Sequence, residues 1–315
     1  MAIAKVIGKI TMTSQQYESL INLGVTDIAI DNPVNRYDAD EIINRIGDAE
    51  AIIINISIQI TREIIKRCAR LKFIQTWSTG MDNIEISAAE EAGILIKNVP
   101  DFSTESVAEK TLSMMIFIAN KMQEANLDVI AGHWNYTNFQ GIELKNKTLG
   151  IIGTGRIGSR VAELAQAFGM NVLIANSKTG KEGIYNVCNQ SDFITIHCPL
   201  KPETYKLMSE KEFSLMKKGI YLINNSRGGV VDEIALLKAL ENETIAYASI
   251  DVFEQEPPDK NHPLIHHPRV FVTPHIAWNT AESVQRLTDH CIDNLKKYLL
   301  NIPIAIDNAK SGAMI

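Results

Sequence analysis

Three residues in the C-terminal half of the chain have side chains suited to acid–base and carboxylate chemistry. They are Arg227, Glu256 and His275, separated by 29 and 19 residues. An arginine can bind a carboxylate through two parallel hydrogen bonds, and a histidine can carry a proton near neutral pH. A glutamate beside the imidazole can orient it and stabilise its charged form. Each has a structural alternative when taken singly: a strand-end histidine, a solvated Glu-Pro turn and a surface arginine.

Each of these residues follows a predicted strand. The strands cover 221–224, 246–250 and 270–273, and each is a short apolar run ending in polar residues. In an open parallel sheet, ligands bind at the carboxyl ends of the strands. We therefore treat the three residues as candidates for one site.

A glycine-rich turn lies further toward the N-terminus. The predicted strand Leu149–Ile152 is followed by Gly153-Thr154-Gly155-Arg156-Ile157-Gly158 and then by a helical pattern from Val161 to Phe168. A GxGxxG segment between a strand and a helix is typical of dinucleotide binding. Its glycines permit the tight turn, the approach of a pyrophosphate and close helix packing, and the helix N-terminus favours the phosphates. The alternative is a structural glycine turn.

The end of the next predicted strand bears on the choice between NAD and NADP. The strand 171–175 ends at Asn176, 23 residues after Gly153. NAD-binding folds usually place an acidic residue there for the adenosine ribose. Here the chain reads Asn176-Ser177-Lys178, which lacks the carboxylate that would repel a 2′-phosphate. The sequence therefore favours NADP over NAD; the alternative is that Asn176 hydrogen-bonds the ribose and Lys178 is solvated.

The elements that must position these residues alternate along the chain. Short apolar runs separate segments of helical period, which is typical of parallel α/β folds. Strands are predicted at 5–10, 25–30, 51–54, 73–76 and 94–97, and helices at 14–23 with Ser14 as N-cap, 40–46, 61–68 and 84–92. One long helix is predicted from Ser103 to about Ala131, and a last one from Thr280 to Leu300. A second alternation runs from Thr148 to about Pro274.

Composition excludes several classes of protein. The 315 residues suggest about two domains. The net charge of −6 argues against a binder of nucleic acid or anionic membranes. Four cysteines without CxxC spacing predict neither a disulfide framework nor a metal site. The N-terminus does not read as a signal peptide and no segment is apolar enough to span a membrane, so we expect a cytoplasmic protein.

Seven short stretches, in order along the chain, resemble the D-isomer-specific 2-hydroxyacid dehydrogenase family. They are Ser78–Ile84, Ser106–Glu109, Leu149–Gly158, His197–Leu200 with Thr204, Asn225–Asp232, Asp251–Pro257 and Pro274–Trp278. The last stretch is closest to the glycerate dehydrogenase and hydroxypyruvate/glyoxylate reductase branch, since D-lactate dehydrogenases more often end it with Phe-Tyr. Trp278 is expected either to shape the pocket wall or to pack at the domain interface. The chain departs from the family at Asn176, where the family usually has Asp.

The resemblance implies an α/β fold of two Rossmann- or flavodoxin-like domains with parallel sheets. A dinucleotide-binding domain, 99–279, would be inserted into a substrate domain built from 1–98 and 280–315, with cofactor and substrate in the cleft between them. The segment 103–139 resembles the family's dimerisation region, which implies a homodimer.

The resemblance also implies a role for each matching residue. Arg227, Glu256 and His275 would be catalytic, and Arg227 would bind the substrate with Ser78, Thr79 and Gly80. The remaining matches would line the cofactor: Gly153, Thr154, Gly155, Arg156, Ile157, Gly158, Asn176, Ser177, Lys178, Cys198, Pro199, Thr204, Asn225, Ser226, Asp251 and His275.

The implied function is reduction of a small 2-oxo acid by NAD(P)H to a D-2-hydroxy acid, with hydroxypyruvate or glyoxylate as the substrate. D-3-phosphoglycerate and D-lactate dehydrogenase activity are the alternatives within the family. A cofactor-sensing binding protein without turnover is the alternative from another class. Steady turnover of a 2-oxo acid would separate the enzyme from the sensor.

Overall fold

The computed structural model describes residues 3–28 and 38–304, and these form two compact units. One unit contains the described residues up to Ser103 and those from Asn279 onward, and the other runs from Thr104 to Trp278. The second unit is therefore inserted into the first. Its ends lie at 103/104 and 278/279, whereas the sequence predicted domain boundaries at 98/99 and 279/280.

Helices and strands alternate through both units. The N-terminal part of the first unit contains β1 (Ala4–Ile7), α1 (Ser14–Asn22), β2 (Val25–Ile28), α2 (Ala39–Ile46), β3 (Ala51–Ile54), α3 (Arg62–Arg67), β4 (Phe73–Thr76), α4 (Ile86–Glu91) and β5 (Leu95–Lys97). The inserted unit contains α5 (Thr104–Ala119), α6 (Met122–Ile130), β6 (Thr148–Ile152), α7 (Arg156–Ala167), β7 (Asn171–Ala175), α8 (Gly180–Gln190), β8 (Phe193–Ile196), α9 (Glu210–Ser214), β9 (Ile220–Asn224), α10 (Glu233–Glu241), β10 (Ile245–Ile250) and β11 (Val270–Val272). The last helix, α11 (Ala281–Leu299), belongs to the first unit.

Each unit is built around a parallel sheet. The first has the strand order β2-β1-β3-β4-β5, which is the flavodoxin-like order. The second has the order β11-β10-β9-β8-β6-β7. Central strands such as β3 and β8 are buried along their whole length because helices cover both faces. The strand order of the second sheet reverses between β6 and β8, and ligands bind at such a switch point in open α/β sheets.

Contacts within the first unit hold its C-terminal helix on the sheet. The Trp77 indole N–H donates to Thr288 Oγ1 over 2.8 Å, and the rings of Phe73 and Tyr298 stack with centroids 4.5 Å apart. Thr280, where the helix was predicted to begin, is its N-cap, and its hydroxyl accepts from the Ser283 N–H over 3.2 Å. Among the described residues, no helix combines the length and apolar character that crossing a bilayer requires.

The predicted helix from Ser103 to about Ala131 is wrong in one respect, because it is two helices. Lys121 lies between α5 and α6 with a left-handed φ of 49°. The Ala119 carbonyl accepts from the Ile142 N–H over 3.0 Å, and Asn120 Nδ2 donates to the Ile116 carbonyl over 3.0 Å. The Ile142 N–H therefore bonds to the Ala119 carbonyl, which in a continuous helix would accept from the residue four positions later. A periodic pattern cannot show this bond between distant residues.

Two other predicted helix starts are corrected. Thr13, and not Ser14, caps α1, because Gln16 at the third helical position completes a capping box with Thr13. The helix predicted from residue 84 begins only at Ile86, since Ile84 forms a parallel bridge with Ile60. The last residues of the strand predicted at 25–30 lie outside the described residues.

Candidate active site

Glu256 and His275 meet beyond the carboxyl ends of β10 and β11. His275 Nδ1 lies 2.8 Å from Glu256 Oε2, and the two side chains are 34% and 36% exposed. An ionised carboxylate only accepts hydrogen bonds, so Nδ1 is the donor of this pair. Nε2 is then the imidazole nitrogen that can exchange a proton with a bound molecule.

The charge state of Glu256 suits this pairing. Partial burial would by itself raise the pKa of Glu256, but the hydrogen bond and charge of His275 oppose it. The Phe253 N–H, 3.1 Å from Glu256 Oε1, and the positive charge of Arg227 act in the same direction. Together they hold the pKa of Glu256 below its ordinary value. The carboxylate is therefore ionised at neutral pH, and Arg227 lies within its electrostatic range.

Asp251, at the end of β10, fastens the loop that carries His275. Its buried carboxylate accepts from the backbone N–H groups of Ile276 and Ala277 over 2.9 and 2.8 Å and from the Thr273 hydroxyl. Its carbonyl accepts from the His275 N–H over 2.8 Å. The resemblance assigns Asp251 to the lining of the cofactor site, which stays a prediction. The loop-holding role was not predicted, although a buried carboxylate needs such donors.

The loop that carries Arg227 is shaped by Asn224, which the sequence analysis also missed. Asn224 Oδ1 accepts from the backbone N–H and hydroxyl of Ser226 over 3.2 and 2.9 Å. Asn224 Nδ2 donates to the Arg227 carbonyl over 3.1 Å. An asparagine at a strand end is a signal for such a turn, because its side chain can accept from the backbone two residues further on. These bonds fix the backbone on both sides of Arg227.

The loops of Arg227 and Glu256 touch at Gly228. A Cβ added there would lie 1.9 Å from the Phe253 carbonyl carbon and 2.3 Å from the Glu254 nitrogen. Only glycine therefore allows the two backbones to pack at this distance. This contact keeps the guanidinium loop and the carboxylate loop in one arrangement.

The three glycines of the GxGxxG segment have different surroundings. Gly153 has φ 98°, and a Cβ there would lie 2.6 Å from the His197 carbonyl. A Cβ on Gly158 would lie 2.0 Å from the Gly153 oxygen, whereas one on Gly155 would have no neighbour within 4 Å. The turn is thus tight at its first and third glycines and open at the second, where α7 begins. A diphosphate fits such a cradle.

Asn176 joins the end of β7 to this glycine turn. Its Nδ2 donates to Thr154 Oγ1 over 2.9 Å. Its Oδ1 accepts from the N–H groups of Lys178 and Thr179 over 2.9 and 3.2 Å. The Asn176 side chain, which stands where the family usually has an acid, is therefore hydrogen-bonded within the loop. Its neighbours Ser177 and Lys178 remain exposed to solvent.

The segment after β8 lies next to Gly153. Thr204 Oγ1 donates to the Pro199 carbonyl over 2.6 Å and closes this turn. Burial raises the pKa of the Cys198 thiol to about 11 and lowers the pKa of His197 to about 4. Both side chains are therefore neutral at pH 7 beside the glycine turn.

Other predicted site residues occupy defined places. Asn225 Nδ2 donates to Thr111 Oγ1 on α5 over 3.2 Å. In the first unit, Ser78, Thr79 and Gly80 form the turn after β4, where Ser78 Oγ donates to the Gly80 carbonyl over 2.6 Å. Substrate contact by these three residues stays a prediction. Within residues 3–28 and 38–304 no group of three or more His, Cys, Asp or Glu side chains is arranged to hold a metal ion.

Comparison with known proteins decides the family. The model of the D-isomer specific 2-hydroxyacid dehydrogenase NAD binding domain matches residues 112–277, which include Arg227, Glu256, His275 and the glycine turn. The chain belongs to the D-isomer specific 2-hydroxyacid dehydrogenase family. The family resemblance and the two-domain parallel α/β fold predicted from the sequence are thereby confirmed.

Individual members of this dehydrogenase family are similar over most of the chain. D-3-phosphoglycerate dehydrogenase of Methanocaldococcus jannaschii is 38% identical over 82% of this chain, which spans only 52% of that protein. Hydroxypyruvate reductase of Blautia hydrogenotrophica is 33% identical over 86% of this chain and 88% of its own length. The solved structure of an acyclic imino acid reductase, Bsp5, in complex with NADPH and D-Arg superposes with a TM-score of 0.86, at 30% identity over 96% of this chain and 99% of Bsp5. The chain thus spans about half the length of the phosphoglycerate dehydrogenases it matches.

Proposed function

We propose that the protein reduces a small 2-oxo acid to a D-2-hydroxy acid with NAD(P)H, and that hydroxypyruvate or glyoxylate is the substrate. The observation that carries the proposal is the Glu256–His275 pair within electrostatic range of Arg227. The hydroxypyruvate reductase of B. hydrogenotrophica supports this substrate class because its similarity covers nearly its whole length. The other substrates to test are 3-phosphohydroxypyruvate and pyruvate, the oxo acids that correspond to D-3-phosphoglycerate and D-lactate.

The residues of the inserted unit fit a dinucleotide and the acid–base half of the reaction. The glycine turn and the N-terminus of α7 would hold the diphosphate, and NAD(P)H supplies a hydride when it is bound. Arg227 would bind the substrate carboxylate and stabilise negative charge growing on the carbonyl oxygen. His275 would donate the Nε2 proton to that oxygen, and ionised Glu256 would hold the imidazolium beforehand.

The direct test is the oxidation of NADPH and NADH by the purified protein with hydroxypyruvate, glyoxylate, pyruvate, 3-phosphohydroxypyruvate and a bulky 2-oxo acid. We expect the highest kcat/KM with hydroxypyruvate or glyoxylate. A preference for 3-phosphohydroxypyruvate, pyruvate or the bulky acid would overturn the substrate assignment and keep the family chemistry. Cofactor binding without turnover of any acid would contradict the proposed activity and favour a cofactor sensor.

We also propose that the enzyme prefers NADP. Asn176 places Ser177 and Lys178 at the surface beside the glycine turn, without a carboxylate to repel a 2′-phosphate. Asn176→Asp keeps the size of the side chain, and its carboxylate can still accept from the N–H groups of Lys178 and Thr179. The added charge should weaken NADPH binding by about tenfold, through about 1–2 kcal/mol of repulsion, and change NADH binding much less.

Dissociation constants of both cofactors, measured by fluorescence titration of wild type and Asn176→Asp, would check this prediction. Lys178→Gln provides an independent variant, because it removes the attractive charge and leaves the Asn176 bonds in place. Equal changes in the NADPH and NADH constants for both variants would refute the proposed phosphate contact.

A homodimer is proposed from the apolar surface of α6 and the segment after it. The described residues of α6 include none that is buried, and Ile130, Trp134 and Tyr136 are 72%, 88% and 86% exposed in the single chain. Apolar surface of this kind is typical of an interface. We expect a mass of twice the 35.0 kDa chain in light scattering, and a monomer for Ile130→Asp. A monomeric wild type would contradict the proposal.

A further inference from the structure

We propose that Trp278 is a positioning residue that holds His275 in its working orientation. The inference rests on the proposed function, because it assumes that His275 is the proton donor. The sequence left two roles open for Trp278, a pocket wall or interface packing. The structure supports a third role, in which the indole acts through the backbone of His275.

His275 has an unusual backbone conformation that needs outside support. Its φ is 54°, in the left-handed region, which residues other than glycine seldom adopt and in which Asn, Asp and His are the more frequent exceptions. Residues in such regions persist when their surroundings hold them there, and they cluster at functional sites. Any relaxation of this backbone would rotate the Cα–Cβ bond and carry the imidazole with it.

Hydrogen bonds hold this loop from one side through Asp251. The N–H of His275 donates to the Asp251 carbonyl over 2.8 Å, and the next two N–H groups, of Ile276 and Ala277, donate to the Asp251 carboxylate over 2.9 and 2.8 Å. Three consecutive donors of the loop are thus tied to one residue. These bonds hold the peptide that follows His275 at its N–H end, through Ile276, and its other end, the His275 carbonyl, accepts from a different group.

The Trp278 indole fixes that carbonyl. Its Nε1–H donates to the His275 oxygen over 2.9 Å. Trp278 is anchored in turn, because its own carbonyl accepts from Ser106 Oγ over 3.2 Å. Ser106 is a buried residue of α5. The hydrogen bonds therefore run from a buried residue of α5 through Trp278 to the residue whose side chain would exchange the proton.

The imidazole of His275 is held at two points, its hydrogen bond to Glu256 and its own backbone. Glu256 holds Nδ1 at 2.8 Å, so the position of Nε2 depends on both the ring's hydrogen bond and the backbone from which the ring extends. If the carbonyl of His275 is released, the ring can keep its bond to Glu256 only by shifting Nε2. A displacement of about 1 Å in a reacting group can cost about 10²-fold in rate. We thus expect Trp278 to affect the rate of proton transfer from His275 without contacting the substrate.

The test is a double-mutant cycle on Trp278→Phe and His275→Ala in the full-length enzyme. Phenylalanine keeps a six-membered aromatic ring, and it removes the five-membered ring of the indole together with its N–H donor. We expect Trp278→Phe to lower kcat about tenfold in the wild-type background, in line with the loss of one hydrogen bond. In the His275→Ala background the same change should lower kcat by less than about twofold, because the positioned group is already absent.

Two further readouts separate positioning from general damage. The solvent deuterium isotope effect on kcat should rise in Trp278→Phe, since proton transfer becomes slower, while the Kd of the cofactor and the thermal midpoint stay near the wild-type values. An equal loss of kcat in both backgrounds, or no loss in either, would overturn the role of Trp278. A His275→Ala enzyme with full activity would instead overturn the proposed function on which the inference rests.

Discussion

Replacing His275 with alanine is expected to lower kcat for 2-oxo acid reduction by about 10²–10⁴-fold, the usual contribution of a general acid. The physical reason is the loss of Nε2, the imidazole nitrogen that remains available when Nδ1 donates to Glu256 over 2.8 Å. Steady-state kinetics with the best substrate of the panel would measure the effect. The cofactor Kd should change little, because the glycine turn that would hold the diphosphate lies on other loops.

A second variant separates the imidazole from the backbone. His275 has a φ of 54°, which strains alanine, whereas asparagine is comparatively tolerant of this region. His275→Asn should therefore keep the wild-type thermal midpoint and show the same loss of kcat. Full activity in a folded His275→Asn enzyme would rule out His275 as the proton donor and would show that another group supplies the proton.

Gly228→Ala is expected to abolish most activity and to destabilise the enzyme by about 3 kcal/mol, at the upper end of overpacking costs. The added methyl group would lie 1.9–2.3 Å from backbone atoms of Phe253 and Glu254, which cannot move without displacing Glu256. The loops of Arg227 and Glu256 would then separate. Urea unfolding and kcat/KM for the preferred acid would measure the two effects.

The adjacent glycine offers a matched control. A Cβ on Gly229 would approach only side-chain atoms, 3.2 and 3.3 Å away on Leu200 and 3.6 Å away on Tyr205. Leu200 is 37% exposed and can shift. Gly229 is also buried, but the atoms a Cβ would approach belong to side chains that can shift, so Gly229→Ala should cost only about 1 kcal/mol, the lower end of overpacking costs. Equal effects of the two substitutions would show that backbone contact at Gly228 is not what the site depends on.

The glycine turn shows how far local pattern predicts this protein. A strand, GxGxxG and a helix were predicted from the spacing of small and apolar residues, and the structure contains them as β6, the turn and α7. Such predictions succeed because the turn needs a left-handed φ at Gly153 and no Cβ at Gly158. Glycine meets both requirements because it has no Cβ, so the residue type alone predicts the turn.

The catalytic candidates were found in a different way. Arg227, Glu256 and His275 each follow a predicted strand, and the shared edge of a parallel sheet was enough to expect them together. The structure adds the bond from Nδ1 to Glu256 and the low pKa of that carboxyl. Neither can be derived from spacing, because each depends on which loops pack against each other.

By itself, the sequence predicted most of the order of helices and strands, the glycine turn and the candidate residues for acid–base chemistry, because periodicity, glycine conformation and side-chain chemistry are local properties. Only the tertiary structure decided the break between α5 and α6, the close packing at Gly228 and the bonds of Asp251 and Trp278 around His275. The break and the packing depend on residues more than twenty positions apart, and Asp251 is equally distant from the loop it holds. The Trp278 bond is local in sequence, yet it needs the left-handed backbone that those distant contacts impose on His275.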